Sequence, residues 1–174
     1  IGRQLAKLAS CLTVVSVNWL PPFTEGQFPQ PGCIRTWSIG DMRTGKGSIG
    51  RWWKERVGLG EHGFGEAASR AGILYWVDPE ANVIVWGLLV QADLGLAIIE
   101  GLHGLPSEQI PEFREALAQQ KIEVRKKATG IAWARARILA DANPWKLLKE
   151  CVYPIQALLH VKCLPDPADV TRID

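Results

Sequence analysis

Gly58–Trp86, GLGEHGFGEAASRAGILYWVDPEANVIVW, is the stretch on which the choice of fold turns. Glycines at 58, 60, 63 and 65 break any continuous helix at its start, because each costs backbone entropy to order. Glu66–Ala71 restarts a helix through its alanines, and Gly72 stops it. Ile73–Val77 and Val83–Trp86 are rich in β-branched and aromatic residues and read as strands. Between them lies Asp78-Pro79-Glu80-Ala81-Asn82. Pro79 presets φ, and the Asp78 carboxylate can accept from backbone N–H groups two residues on, which together specify a turn. The stretch predicts a helix-turn element followed by a β-hairpin.

Upstream, Trp52–Val57 predicts a helix that begins near Ser48 and ends at Gly58. Gly40–Gly50 carries four glycines and reads as a loop, and Cys33–Ile39 is a short strand candidate. Pro21, Pro22, Gly26, Pro29, Pro31 and Gly32 exclude regular structure. Leu12–Trp19 is β-rich, and residues 3–10 suit a helical turn or two. Downstream, Leu94, Ala97, Ile98 and Leu102 predict a helix over Asp93–Leu102. Another helix is expected from about Ser107, with Pro111 early, where a missing N–H does no harm. Phe113, Leu117, Val124, Ala128 and Ile131 extend a helical stripe toward Ala140, with Lys121, Arg125, Lys126, Lys127, Arg135 and Arg137 on the other face. Trp145–His160 reads as helical, and the tail with Pro165 and Pro167 as frayed.

The expected fold class is therefore α+β, mostly helical with a central β-hairpin. Three segments are expected: an N-terminal segment and Pro-rich loop over 1–30, a winged-helix-like domain over 31–118, and a helical, partly basic region over 119–174.

The chain has 174 residues, 47% hydrophobic and 22% charged, enough to bury a core. Its net charge is only +2, but the charges are segregated. Residues 1–60 carry eight basic and three acidic side chains, 61–118 two and nine, and 119–174 ten and six. Basic ends around an acidic middle suit a polyanion partner or internal charge complementarity. Cys11, Cys33, Cys151 and Cys163 form no close pair, and His160 with Cys163 makes a lone His-x-x-Cys, so neither a disulfide framework nor a zinc site is assigned. No run of about 20 uninterrupted apolar residues exists to span a membrane, and a cytoplasmic location is expected.

WKERVGLGEHGFGEAASRAGIL, residues 53–74, resembles the core of bacterial winged helix-turn-helix domains. With Pro31-Gly32-Cys33-Ile34-Arg35 before it and Leu105-Pro106 after it, the match is also similar to phage and plasmid replication initiators. That resemblance implies a scaffold helix at Trp53–Val57, a recognition helix at Glu61–Ala71 and a wing at Ile73–Trp86. Glu61 and Glu66 oppose phosphate, so DNA contact is expected from Arg51, Lys54, Arg56 and Arg70, and from Lys121, Arg125, Lys126 and Lys127.

Gly40-Asp41-Met42-Arg43-Thr44-Gly45-Lys46-Gly47-Ser48 departs from G-x-x-x-x-G-K-[ST] by one residue, Gly47. It resembles the loops of nucleoside monophosphate kinases and of DNA-translocating conjugation ATPases. That resemblance implies backbone N–H groups of the loop, Gly45 included, around phosphate, Lys46 on the outer phosphates, Ser48 on magnesium, and Asp78 ending a parallel strand Ile73–Asp78. A third likeness, to serine β-lactamase-like esterases, rests on Gly63-Phe64-Gly65-Glu66-Ala67-Ala68-Ser69 and Trp76-Val77-Asp78-Pro79-Glu80. That chemistry needs Ser-x-x-Lys, which no serine here provides.

The leading functional expectation is a DNA-binding protein of the replication or mobile-element kind, with no catalytic residue, metal site or cofactor assigned. A P-loop NTPase that binds ATP and magnesium through Gly40–Ser48 is the alternative. A structural or interaction module is the second alternative.

Overall fold

The computed structural model describes residues 4–20, 30–65 and 70–161. The Pro-rich loop at 21–29, most of Glu66–Ala71 and the tail with Pro165, Pro167 and Cys163 lie outside the described residues.

Helix α1 (Gln4–Val15) leads to a short antiparallel pair, β1 (Trp19–Leu20) with β2 (Gln30–Pro31). Strand β3 (Arg35–Ile39) follows, then α2 (Gly47–Trp52), which runs on as a π-helix over Trp53–Val57. Gly58 caps that run in the left-handed region at φ 75°, the conformation for which glycine carries no Cβ penalty. Next come β4 (Glu61–Phe64), α3 (Arg70–Ile73), β5 (Tyr75–Val77), β6 (Ile84–Trp86) and α4 (Leu88–Gln91). Strand β7 (Leu96–Glu100), α5 (Ile110–Gln119), β8 (Lys121–Arg125), β9 (Thr129–Trp133) and β10 (Arg137–Ala142) complete the described core.

The central sheet has the order β3-β10-β7-β4, and every pairing in it is parallel. Alternate residues of its strands face opposite sides, as the pleat requires. Ala97, Ile99, Ile138 and Ala140 join the larger core with Ile73, Leu74, Leu89 and Phe113. Leu96, Ile98 and Leu139 pack on the other side against Val14 of α1 and Trp53. Helix α2 crosses β7 closely at Gly50, where an added Cβ would stand 2.5 Å from Ile98 Cγ2. A parallel sheet covered on both faces defines an α/β architecture.

That architecture overturns the mostly helical, winged-helix-like fold class. Glu61–Phe64, expected to open a recognition helix, is a strand in the parallel sheet. Leu96–Glu100, expected as helix, is β7, and its first four residues are buried. A strand covered on both faces is continuously apolar and mimics a buried helix segment in sequence. The long helix expected beyond Gln119 is replaced by the antiparallel β8–β9 hairpin and by β10. Gln120 breaks the helix with φ 53°. Trp145–His160 is not a helix of α type but two 3-10 segments, Leu148–Glu150 and Pro154–His160.

The β5–β6 hairpin is as the sequence specified. Tyr75 pairs with Trp86 and Val77 with Ile84. Asp78 Oδ1 accepts from the N–H groups of Glu80 at 2.8 Å and Ala81 at 3.0 Å, and Asn82 turns the chain with φ 54°. Pro111 sits in the first turn of α5.

Candidate functional site

Because the four strands run the same way, their carboxyl ends share one edge, where open α/β sheets place their ligands. Strand β3 leaves that edge into Gly40–Lys46, and the loop enters α2 at Gly47. Glu100 closes β7, Asp141 is the penultimate residue of β10, and Asn143 follows it.

The loop carries two residues in the left-handed region, Arg43 at φ 58° and Gly45 at φ 72°. Lys46 then returns to the right-handed region at φ −59°. Alternation of this kind turns successive N–H groups to one side and makes an anion-accepting concavity. The Lys46 ammonium is drawn into the loop. It donates to Gly40 O at 2.9 Å, Asp41 O at 2.7 Å, Thr44 Oγ1 at 3.4 Å and Asn143 Oδ1 at 2.8 Å. Asn143 is set in turn by its own N–H, which donates to His103 Nδ1 at 3.0 Å. Asp41 Oδ1 accepts from the Leu148 N–H at 3.0 Å, tying the loop to the segment after β10.

Gly47 stands where a P-loop carries its hydroxyl. A Cβ there would lie 2.8 Å from Glu100 Cδ and 3.0 Å from Asp141 Oδ2. Those carboxylates are themselves held. Glu100 Oε1 accepts from Arg51 Nε at 2.9 Å and lies 3.1 Å from His62 Nε2, and Asp141 Oδ1 accepts from the Gly101 N–H at 2.9 Å. Ser48 turns its hydroxyl back onto Gly45 O at 2.6 Å, on the exposed side.

A groove of about 510 Å³ opens beside the loop, between α1 and the edge of β3. Ala6, Ala9, Trp37, Ile39 and Leu148 give it apolar walls, and Thr44 and Lys46 line its polar end.

The structure places Gly45 and Lys46 in the loop and Ser48 in the first turn of α2, but separates Asp78 from them. Asp78 lies in the turn of an antiparallel hairpin, and its Oδ1 is occupied by turn N–H groups. Glu100 is the acidic strand end beside the loop. The sequence signal for it was the charge that ends the buried run Leu96–Ile99. Asn143, His103 and Asp141 carried no local signal.

The basic residues named from the sequence fall in three places. On α2 and the π-helix, Arg51 meets Glu100, Lys54 meets Glu61 at 3.2 Å, and Arg56 is exposed. Arg70 opens α3. On the β8–β9 hairpin, Lys121 is half-buried, while Arg125, Lys126 and Lys127 are exposed at the tip. Glu123 pairs with Arg125 at 2.6 Å, and Lys126 stands 5.5 Å over the Tyr75 ring. These cations are therefore displayed by a β-hairpin rather than by the basic helix that the sequence led us to expect.

A parallel strand that passes through a glycine-bearing, lysine-tipped loop into a helix, at the carboxyl edge of a covered sheet, is the P-loop arrangement. Residues 17–149 match the family model of the MCM P-loop domain, and the chain belongs to that family. Over 132 residues it is 29% identical to the DNA replication licensing factor mcm2 of Schizosaccharomyces pombe (strain 972 / ATCC 24843), a match covering 72% of this chain. The chain spans 16% of that relative's length. Among the described residues, no helix is long and apolar enough to cross a membrane.

Proposed function

We propose that this chain forms the nucleotide-binding core of a DNA-replication protein, holding the phosphates of ATP in the Gly40–Lys46 loop. The observation that carries the reading is the Lys46 ammonium, fixed between the loop carbonyls and Asn143 at the carboxyl edge of the parallel sheet. Phosphate oxygens can exchange for those carbonyls, because a lysine ammonium is a compact charge with three rotatable donors. The apolar groove beside the loop suits a base and ribose, since ligand sites combine apolar walls with a few placed polar groups. Gly45 supplies backbone and Lys46 supplies charge. The Ser48 hydroxyl is committed to Gly45 O and takes no part.

Titration of a fluorescent ATP analogue into the intact chain, well below its melting temperature, tests this. Lys46→Ala should raise Kd by about tenfold or more, since each 1.4 kcal/mol is about tenfold in affinity. Equal affinity in the variant and the parent would overturn the assignment.

DNA contact through the exposed Arg125, Lys126 and Lys127 is the second part of the reading, supported by their display at one hairpin tip. Neutralising all three should weaken binding uniformly across sequences. It should also reduce the slope of log affinity against log salt by about 0.9 per lost phosphate contact. A slope unchanged by the triple substitution would place the DNA surface elsewhere.

A further inference from the structure

The geometry points to nucleotide binding without magnesium, with the Arg51 guanidinium standing in for the metal as counter-charge. This rests on the P-loop reading given above. P-loop sites fix magnesium through the hydroxyl that follows the lysine and through an acidic residue at a strand end. Both anchors are altered here. The hydroxyl is absent at Gly47, and the space it would use is filled by carboxylate. An added Cβ would be 2.9 Å from Glu100 Oε2 and 3.0 Å from Asp141 Oδ2. The next hydroxyl, on Ser48, is committed to Gly45 O on the exposed side.

The acidic strand end already has its cation. Glu100 is 16% exposed, and its Oε1 takes Arg51 Nε at 2.9 Å with His62 Nε2 at 3.1 Å. A guanidinium on a carboxylate is a charge-assisted, directional contact, and arginine keeps its charge at every accessible pH. Arg51 lies four residues after Gly47 in α2, one turn along the same helix face as the missing hydroxyl. The side chain meets Glu100 through Nε and remains 54% exposed overall. The four N–H donors on its two outer nitrogens can reach phosphate oxygens while Nε stays on Glu100. Asp141 is likewise anchored, by the Gly101 N–H.

The test uses the intact chain and a fluorescent ATP analogue, titrated once with excess magnesium and once with a chelator. The parent chain should give dissociation constants within about threefold of each other in the two media, less than one kcal/mol of difference. Arg51→Gln should bind about tenfold or more weakly in the chelator and recover when magnesium is added, because the released Glu100 carboxylate then needs a cation. Arg51→Lys should keep the metal-independence. Recovery by magnesium separates this role from a merely structural one, which would weaken binding alike in both media. Tenfold tighter binding of the parent chain with magnesium would overturn the inference, as would equal loss for Arg51→Gln in both media. Absence of binding by the parent chain in either medium would instead remove the P-loop reading itself.

Discussion

The hydrogen bond from Lys46 Nζ to Asn143 Oδ1 joins residues 97 positions apart, and it should be measurable as a coupling free energy without any ligand. Lys46→Ala removes three short contacts, at 2.9, 2.7 and 2.8 Å, and one long contact at 3.4 Å. Hydrogen bonds from a charged donor are worth about 1.5–3 kcal/mol when dry, but the loop is half in water. A net loss of about 1–3 kcal/mol is expected for Lys46→Ala, and about 1 kcal/mol for Asn143→Ala, which leaves the ammonium on the loop carbonyls. The double variant should fall short of the sum by about 0.5–1.5 kcal/mol, the part carried by the shared bond. Urea denaturation of the four proteins at neutral pH, without nucleotide, reads the cycle directly. Additivity within about 0.3 kcal/mol would show that the bond carries no energy. The view of Asn143 as the fixed far wall of the loop would then fail. The same destabilisation is a reason to measure nucleotide affinity of Lys46→Ala only where the variant is fully folded.

Asp93 accepts the Arg135 side chain at 2.6 and 3.1 Å and its backbone N–H at 2.8 Å, and the Arg135 hydrogen bond holds the carboxyl below its ordinary value of 3.8. A folded value below the unfolded one stabilises above the ordinary value, and that contribution is lost as pH falls through the lowered one. The stability gap between the parent chain and Asp93→Asn should therefore be constant near neutrality and close in acid. A urea-midpoint gap that persists at a pH below the lowered value would exclude the charged pair as its source. Gly87→Ala should cost about 1–3 kcal/mol, because its Cβ would meet backbone that cannot yield, Ile73 C at 2.6 Å and Leu74 N at 2.7 Å. Gly58→Ala, with nothing within 4 Å but a φ of 75°, should cost about 1 kcal/mol, so a reversed order of the two melting temperatures would contradict the packing described.

Local chemistry was legible where it acts over a few residues. Asp78-Pro79 specified the β5–β6 hairpin, Gly58 stopped the helix before it, and Pro111 marked the start of α5. The parallel sheet was not legible, because its strands meet across long stretches of chain. In β7 the run Leu96–Ile99 has no period that separates strand from helix. In β8 the alternation was present, with Ile122 and Val124 buried between exposed Glu123 and Arg125. A helical stripe drawn through Val124, Ala128 and Ile131 concealed it. Strand β3 carries Arg35, Thr36 and Ser38, which are polar for a parallel sheet. It tolerates them because, among the described residues, it pairs on one side only. Arg35 Nη2 donates to Leu117 O at 2.7 Å, and Thr36 shares a 2.6 Å contact with Thr13 of α1. Gly45 and Lys46 could be named from the motif. Their acidic neighbour could not, because the choice between Asp78 and Glu100 depends on which strand lies parallel to β3 or to its partner.

The place of β10 has a bearing on how the chain comes to be folded at all. The strand lies between β3 and β7 but is made about a hundred residues after β3. Until Arg137–Ala142 leaves the ribosome, β7 and β4 can pair, but β3 has no neighbour in the sheet and the inner edge of β7 is bare. A bare apolar strand edge is a template for pairing with other chains. Nascent chains stalled before residue 137 should therefore be the aggregation-prone species. Assembly of the sheet edge that carries the Gly40–Lys46 loop is then a late event in synthesis, coupled to insertion of a single strand.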